Sequence, residues 1–195
     1  MNKAYETMRG FWLDVKNLQH KKEVPLLGER QICVAGVEIA ARDTQGGIKN
    51  FMIAASSLGN ASVYFENNSA SGLGGFTGGA ASGPVREKAL RMMQSAASAA
   101  AHLQPVDSLP PQQNVENVTL FTVSGEGQIL ARELKESEVR NPENDLYAFF
   151  AYSQQLLGAF RAEHERETAV AEKAPAASGS AMPAPPAPDT KPTEN

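Results

Sequence analysis

Between Gly72 and Gly83 the chain sets six of its 16 glycines in twelve positions, "GLGGFTGGAASG", and then enters a helical pattern. A glycine run before a helix can cradle an anion, because unobstructed backbone N–H groups converge at the helix N-terminus. Gly74, Gly75, Thr77, Gly78, Gly79, Ser82 and Arg86 would form that cradle. The spacing departs from both common phosphate motifs. The pattern G-x-G-x-x-G, begun at Gly72 and Gly74, requires glycine at 77, where Thr77 stands. A P-loop closes on Gly-Lys-Ser/Thr, but Gly79 and Gly83 precede Ala80 and Pro84. Pro84 also removes one helix-terminal donor. The run therefore reads as a flexible connection, with binding of a small anion or nucleotide phosphate as the alternative.

Other reactive side chains are scattered. His20, His102 and His164 lack a second histidine or a cysteine at metal-ligand spacing, and read as solvated residues near helix ends. The single cysteine, Cys33, sits between Ile32 and Val34 and reads as a packed thiol rather than a nucleophile. Ser124 in "VSGEG" lacks the first glycine of a nucleophile elbow, because Thr122 stands there. Glu38, Asp43 and Glu66 fall where a strand edge can gather them, but paired carboxylates work as acid and base only in a cleft; they read as solvated. No catalytic, metal or cofactor set emerges, and the chain reads as non-enzymatic.

The elements that must position these residues follow from periodicity. Tyr5, Met8, Trp12, Val15 and Leu18 recur at helical steps. "QICVAGVEIAARDTQGGIKNFMIAASS" places two apolar runs around the loop 43–47, a hairpin, and "SLGNASVYF" adds a third strand. A helix is expected from about Pro84 to Leu103, with Val85, Ala89, Met92, Met93, Ala96 and Ala100 on one face. "NVTLFTVSGEGQILAREL" reads as a second hairpin, "ARELKESEVRNPEND" as a solvated charge run, and 144–163 as a final helix capped by Asn144 or Asp145. The expected fold is α+β in two layers, an antiparallel sheet of about five strands with helices packed on it, in the order α-βββ-α-ββ-α. Residues 1–165 form one domain. Residues 166–195 are poor in apolar side chains and rich in Ala and Pro, and read as a disordered tail.

With 18 basic and 22 acidic residues, the net charge of −4 excludes the dense cationic stripe that nucleic acid requires. No stretch approaches the roughly 20 apolar residues of a membrane span. The N-terminus lacks the apolar core of a secretory signal, and one cysteine suits a reducing, cytoplasmic setting.

The succession "ASVYFENNSASGLGGFTGG", "VREKAL", "VTLFTVSGEGQILARELKESEV" and "LYAFFAYSQQLLGAFR", about residues 60–161, resembles a set of small bacterial proteins of uncharacterised function. The chain departs from them at its longer, less regular glycine run, and the resemblance implies a domain boundary but no activity. The layout is also similar to that of small acidic type III secretion chaperones, which dimerise and hold a segment of another protein. Tyr5, Trp12, Phe149, Phe150, Tyr152 and Phe160 lie on broad apolar helix faces and are the candidate interaction face. The expectation is a non-catalytic interaction protein, adaptor- or chaperone-like, that self-associates and binds a protein partner.

Overall fold

A computed structural model describes residues 2–19, 24–66, 73–77 and 81–173. Gly78, Gly79, His20 and the part of the tail from residue 174 onward lie outside the described residues. The architecture is α+β, built on an antiparallel sheet. Helix α1 (Lys3–Leu13) and a short α2 (Lys16–Gln19) precede β1 (Ile32–Arg42), β2 (Ile48–Ser56), β3 (Ala61–Glu66) and β4 (Leu73–Phe76). Helix α3 (Gly83–Ala99) runs into a 3-10 turn, and β5 (Gln104–Val106), β6 (Asn117–Ser124), β7 (Ile129–Lys135), α4 (Glu136–Val139) and α5 (Tyr147–Lys173) complete the chain. The strands stand in the order β4-β3-β2-β1-β6-β7-β5.

Among the described residues the sheet has seven strands, where about five were expected. Both additions escape a periodicity search for a physical reason. Strand β4 is Leu-Gly-Gly-Phe, so backbone alone makes most of it; a Cβ on Gly75 would lie 2.1 Å from the Val63 carbonyl of β3. The glycine run is thus not wholly a loose connection. Strand β5 spans three residues around Pro105, too few to show alternation. The charge run read as a solvated lead-in supplies the end of β7 and all of α4, with Val139 buried.

Nor are there two layers. Residues along β1 alternate between two cores. Ala35 and Val37 join Ile53, Val63 and Leu120 beneath α3 and α5, while Val34 joins Met52, Ala54 and Phe121 on the α1 side. Helices therefore cover both faces. Gly36 pairs with Phe121 across the ladder, and that ring occupies the space a Cβ would need, with carbon 2.2 Å from its ideal position.

Val85, Ala89, Met92, Ala96 and Ala99 form the buried stripe of α3 at steps of three and four. Helix α5 lies antiparallel to it: His102 beyond the end of α3 pairs with Asp145 before α5, at 3.2 Å, while Val85 and Phe160 share a groove at the other end. Helix α5 begins at Tyr147 rather than at 144, and Asn144 instead accepts the Leu146 N–H at 2.9 Å in the turn that leads into it. The helix continues to Lys173, through residues assigned from composition to the disordered tail. Helix-forming Glu, Arg and Ala residues sustain it, with an Arg166–Glu163 pair at 2.9 Å and Thr168 bonded back to the His164 carbonyl. No described helix is long and apolar enough to cross a membrane.

Candidate functional site

The sequence-predicted interaction face does not exist as a surface. Tyr5 and Trp12 are buried on one side of the sheet, Phe149, Phe150 and Phe160 on the other, and only Tyr152 is partly exposed. Because helices cover both faces, the broad apolar stripes are spent on the protein's own two cores. Among the described residues the exposed large apolar side chains are Phe11 on α1, Leu26 in the segment before β1 and Ile48 on β2.

Gly78 and Gly79 lie outside the described residues, and the other five cradle residues do not form one site. Gly74 and Gly75 are committed to the β3–β4 ladder. Arg86 leans back on the β2–β3 turn, its Cγ 2.8 Å from where a Cβ on Gly59 would stand. Ser82 occupies the N-cap of α3, but its hydroxyl caps nothing. Thr77 and Ser82 do meet, in an open groove of about 360 Å³ between the end of β4, the start of α3 and the outer part of α5. Phe76, Val85 and Phe160 supply apolar lining; Glu163, His164 and Glu167 come from α5.

This groove is built by two elements crossing. Phe76 stands on the α5 side of β4, stacked on Phe160 at 6.0 Å and 18° and tilted against His164 at 5.3 Å. Glu163 and Glu167 are one helical turn apart and so face the same way. Ser82 Oγ and Glu163 Oε2 are both buried without a hydrogen-bond partner, although Arg166 approaches Oε2 to 2.9 Å. Of the two carboxylates, Glu163 already has a cation beside it in Arg166, and Glu167 adds a negative charge that disfavours an anion. Arg86 does not line the groove. Among the described residues no group of three His, Cys, Asp or Glu side chains could hold a metal ion.

A second polar cluster lies beneath α1. Glu38 and Glu66, read from sequence as solvated, are buried. Arg9 Nε donates to Glu38 Oε1 at 2.9 Å and Nη2 to Oε2 at 3.0 Å, while Tyr5 Oη donates to Oε1 at 3.0 Å. The same Nη2 reaches the Leu109 carbonyl at 2.7 Å. Burial pushes the Glu38 carboxyl above the usual carboxylate range, and Arg9 and Tyr5 offset this in part. Burial also drives the Tyr5 hydroxyl far up, and the neighbouring Glu38 charge adds to that. Glu66 accepts from the backbone N–H groups of Asn2 and Asn50 and from Asn50 Nδ2. Burial raises its carboxyl, but these hydrogen bonds outweigh it and the net shift is downward. Asp43 stays apart, closing the β1–β2 turn through the N–H groups of Gln45 and Gly47.

A tyrosine, an arginine and two carboxylates in one place resemble an acid–base site by residue type. Tyr5, Arg9 and Glu38 bond to one another and to backbone carbonyls, Glu66 bonds to Asn2 and Asn50, and none of the three residues Tyr5, Arg9 and Glu38 lines a described cavity. The cluster fastens α1 to the sheet. The signal for it was a lone charge on an otherwise apolar stripe: Arg9 shares a helix face with Tyr5 and Trp12, and Glu38 interrupts an apolar strand.

Cys33 is buried, donates to the Val123 carbonyl at 3.4 Å, and burial pushes its thiol up to about 11. That is a packed, unreactive thiol. Ser124 Oγ accepts the Gln128 N–H within the β6–β7 turn. In comparisons with known proteins, no family model, curated protein or solved structure matches the chain.

Proposed function

We propose that the protein is a non-catalytic interaction module that holds an extended segment of a partner protein in the groove between β4 and α5. The observation that carries this reading is the pairing of that groove with a sheet margin. Among the described residues no strand lies outside β4. An outer strand offers backbone N–H and C=O groups to an incoming strand, and a neighbouring apolar pocket supplies selectivity. Gly75 and Thr77 are exposed there, and Phe76 and Phe160 give the apolar floor. The opposite margin, β5, carries Pro105 in a strand of three residues and is poorly suited to extension. The proposal involves no cofactor and no bond-breaking step, and the lone buried Cys33 fits a protein of the reducing cytoplasm.

Displayed random peptides selected against the full chain test the reading, with the bound site mapped by NMR shifts. Selected peptides that move Phe76, Thr77 and His164 support it. Selection of nothing, or shifts confined to other surfaces, overturns it. Light scattering of the free protein checks the accompanying proposal that a second copy is among its partners.

A further inference from the structure

Independently of the groove, we infer that α1 is a latch: it leaves the sheet as one unit, together with the segment around Leu109 and Pro110, while the strands and the α3–α5 layer stay folded. The two faces of the sheet are closed by unequal means. Helix α3 buries six side chains, all apolar. Helix α1 buries three, Tyr5, Arg9 and Trp12, with Met8 and Leu13 partly covered beside them. Its polar bonds converge on two carboxylates. Tyr5 and Arg9 both donate to Glu38, and the N–H of Asn2, the N-cap residue, donates to Glu66. Arg9 Nη2 also donates to the carbonyls of Leu109 and Pro110, so that segment is tied to the helix.

Bonds of this kind make the opening all-or-none. A small shift of α1 would leave Arg9 and Glu38 buried but unpaired, the costliest arrangement open to them, whereas full departure returns both to water. Half-open positions are therefore disfavoured, and the helix moves as a block. Two features weaken the closed state. Trp12 Nε1 is buried with no hydrogen-bond partner, so opening lets it be hydrated. Gly10 stands inside α1 with nothing within 4 Å of where a Cβ would be, so it gives up helix stability and gains no packing in return. The rest of the fold has its own supports. Strand β1 is paired along most of its length with β2 and β6, and α3 and α5 pack on the opposite face. Departure of α1 uncovers Val34, Met52, Ala54, Phe121 and Val123, an apolar surface that holds the Glu38 carboxylate and has Cys33 at one end.

Cys33 is the chain's single cysteine, so its alkylation by iodoacetamide in the full chain times the opening. Mass spectrometry reads the rate at urea concentrations below the unfolding transition. Labelling is expected to require less free energy than global unfolding and to depend more weakly on urea, because only part of the surface is exposed. Labelling that matches global unfolding in both respects overturns the inference. Gly10→Ala should slow labelling about fivefold, and Arg9→Ala should speed it at least about a hundredfold. Phe149→Leu, on the opposite face, should lower stability in urea yet leave labelling unchanged, since the α3–α5 layer is the same whether α1 is docked or not. Circular dichroism verifies that each variant is folded, and the Gly10→Ala and Phe149→Leu arms stand even where Arg9→Ala does not fold. Labelling that rises with Phe149→Leu in step with its loss of stability, or that is unmoved by Gly10→Ala or by a folded Arg9→Ala, overturns the latch.

Discussion

Phe149, Phe150 and Leu156 of α5, with Met92 and Met93 of α3, close one face of the sheet with apolar side chains. On the other face α1 buries three residues, and one of them is Arg9. The first closure is non-directional, so its stability grows with the area removed from water and tolerates small shifts of either helix. The second is directional. Arg9 binds Glu38 through two nitrogens and reaches the carbonyls of Leu109 and Pro110, tying α1, β1 and the segment before β6 into one arrangement. A buried ion pair adds little net stability over apolar packing, but losing one partner is expensive. One face is thus held by quantity of contact and the other by its geometry.

The sharpest ways to break that comparison remove one member from each side. Phe149→Ala should cost about 3–5 kcal/mol in urea unfolding, with little dependence on pH, because it leaves an apolar cavity. Arg9→Ala should cost a similar amount at neutral pH, about 3–5 kcal/mol, because it strands the Glu38 charge. That deficit should shrink on acidification. A carboxyl whose folded-state pKa is raised takes up a proton more readily folded than unfolded, so the penalty is present above that raised value and gone below the ordinary value near 4.5. Unfolding curves at several pH values check both statements. Replacing the pair together, Arg9→Met with Glu38→Leu, should recover most of the loss, as buried pairs exchanged for apolar groups often do.

Smaller effects sharpen the comparison. Glu66 is shifted the other way, so its contribution is present above the ordinary carboxylate range and is lost as pH falls through its folded-state value. Fluorescence of Trp12, the chain's single tryptophan, should therefore report loosening of α1 in acid, and Glu66→Gln should flatten that response. Smallest of all, Glu87→Ala should change stability by no more than about 0.5 kcal/mol, since its pair with Arg91 is exposed on both sides.

These contrasts also explain what the sequence makes legible. The β1–β2 hairpin, the third strand and the β6–β7 hairpin announce themselves through apolar runs around turn residues, and the structure has all of them. Helix α3 is legible in the same way, because Val85, Ala89, Met92 and Ala96 keep a helical period. Strand β4 is not, since two glycines carry no side-chain pattern and its pairing depends on Val63 and Tyr64 ten or more residues earlier. The groove needs β4 and the continuation of α5 past Glu163 together, so neither half reveals it alone. The aromatic residues misled for a related reason. Periodicity shows that Tyr5, Trp12 and Phe149 belong on apolar faces, but the number of sheet faces available to receive them is a property of the whole chain.

Gly36 and Phe121 carry a consequence for descent. The ring fills the volume that any larger residue at 36 would claim, so the two positions can change only in concert. A cousin of this protein with alanine or valine at the first site should have given up the phenyl group at the second, and an alignment deep enough to hold both versions would display that exchange.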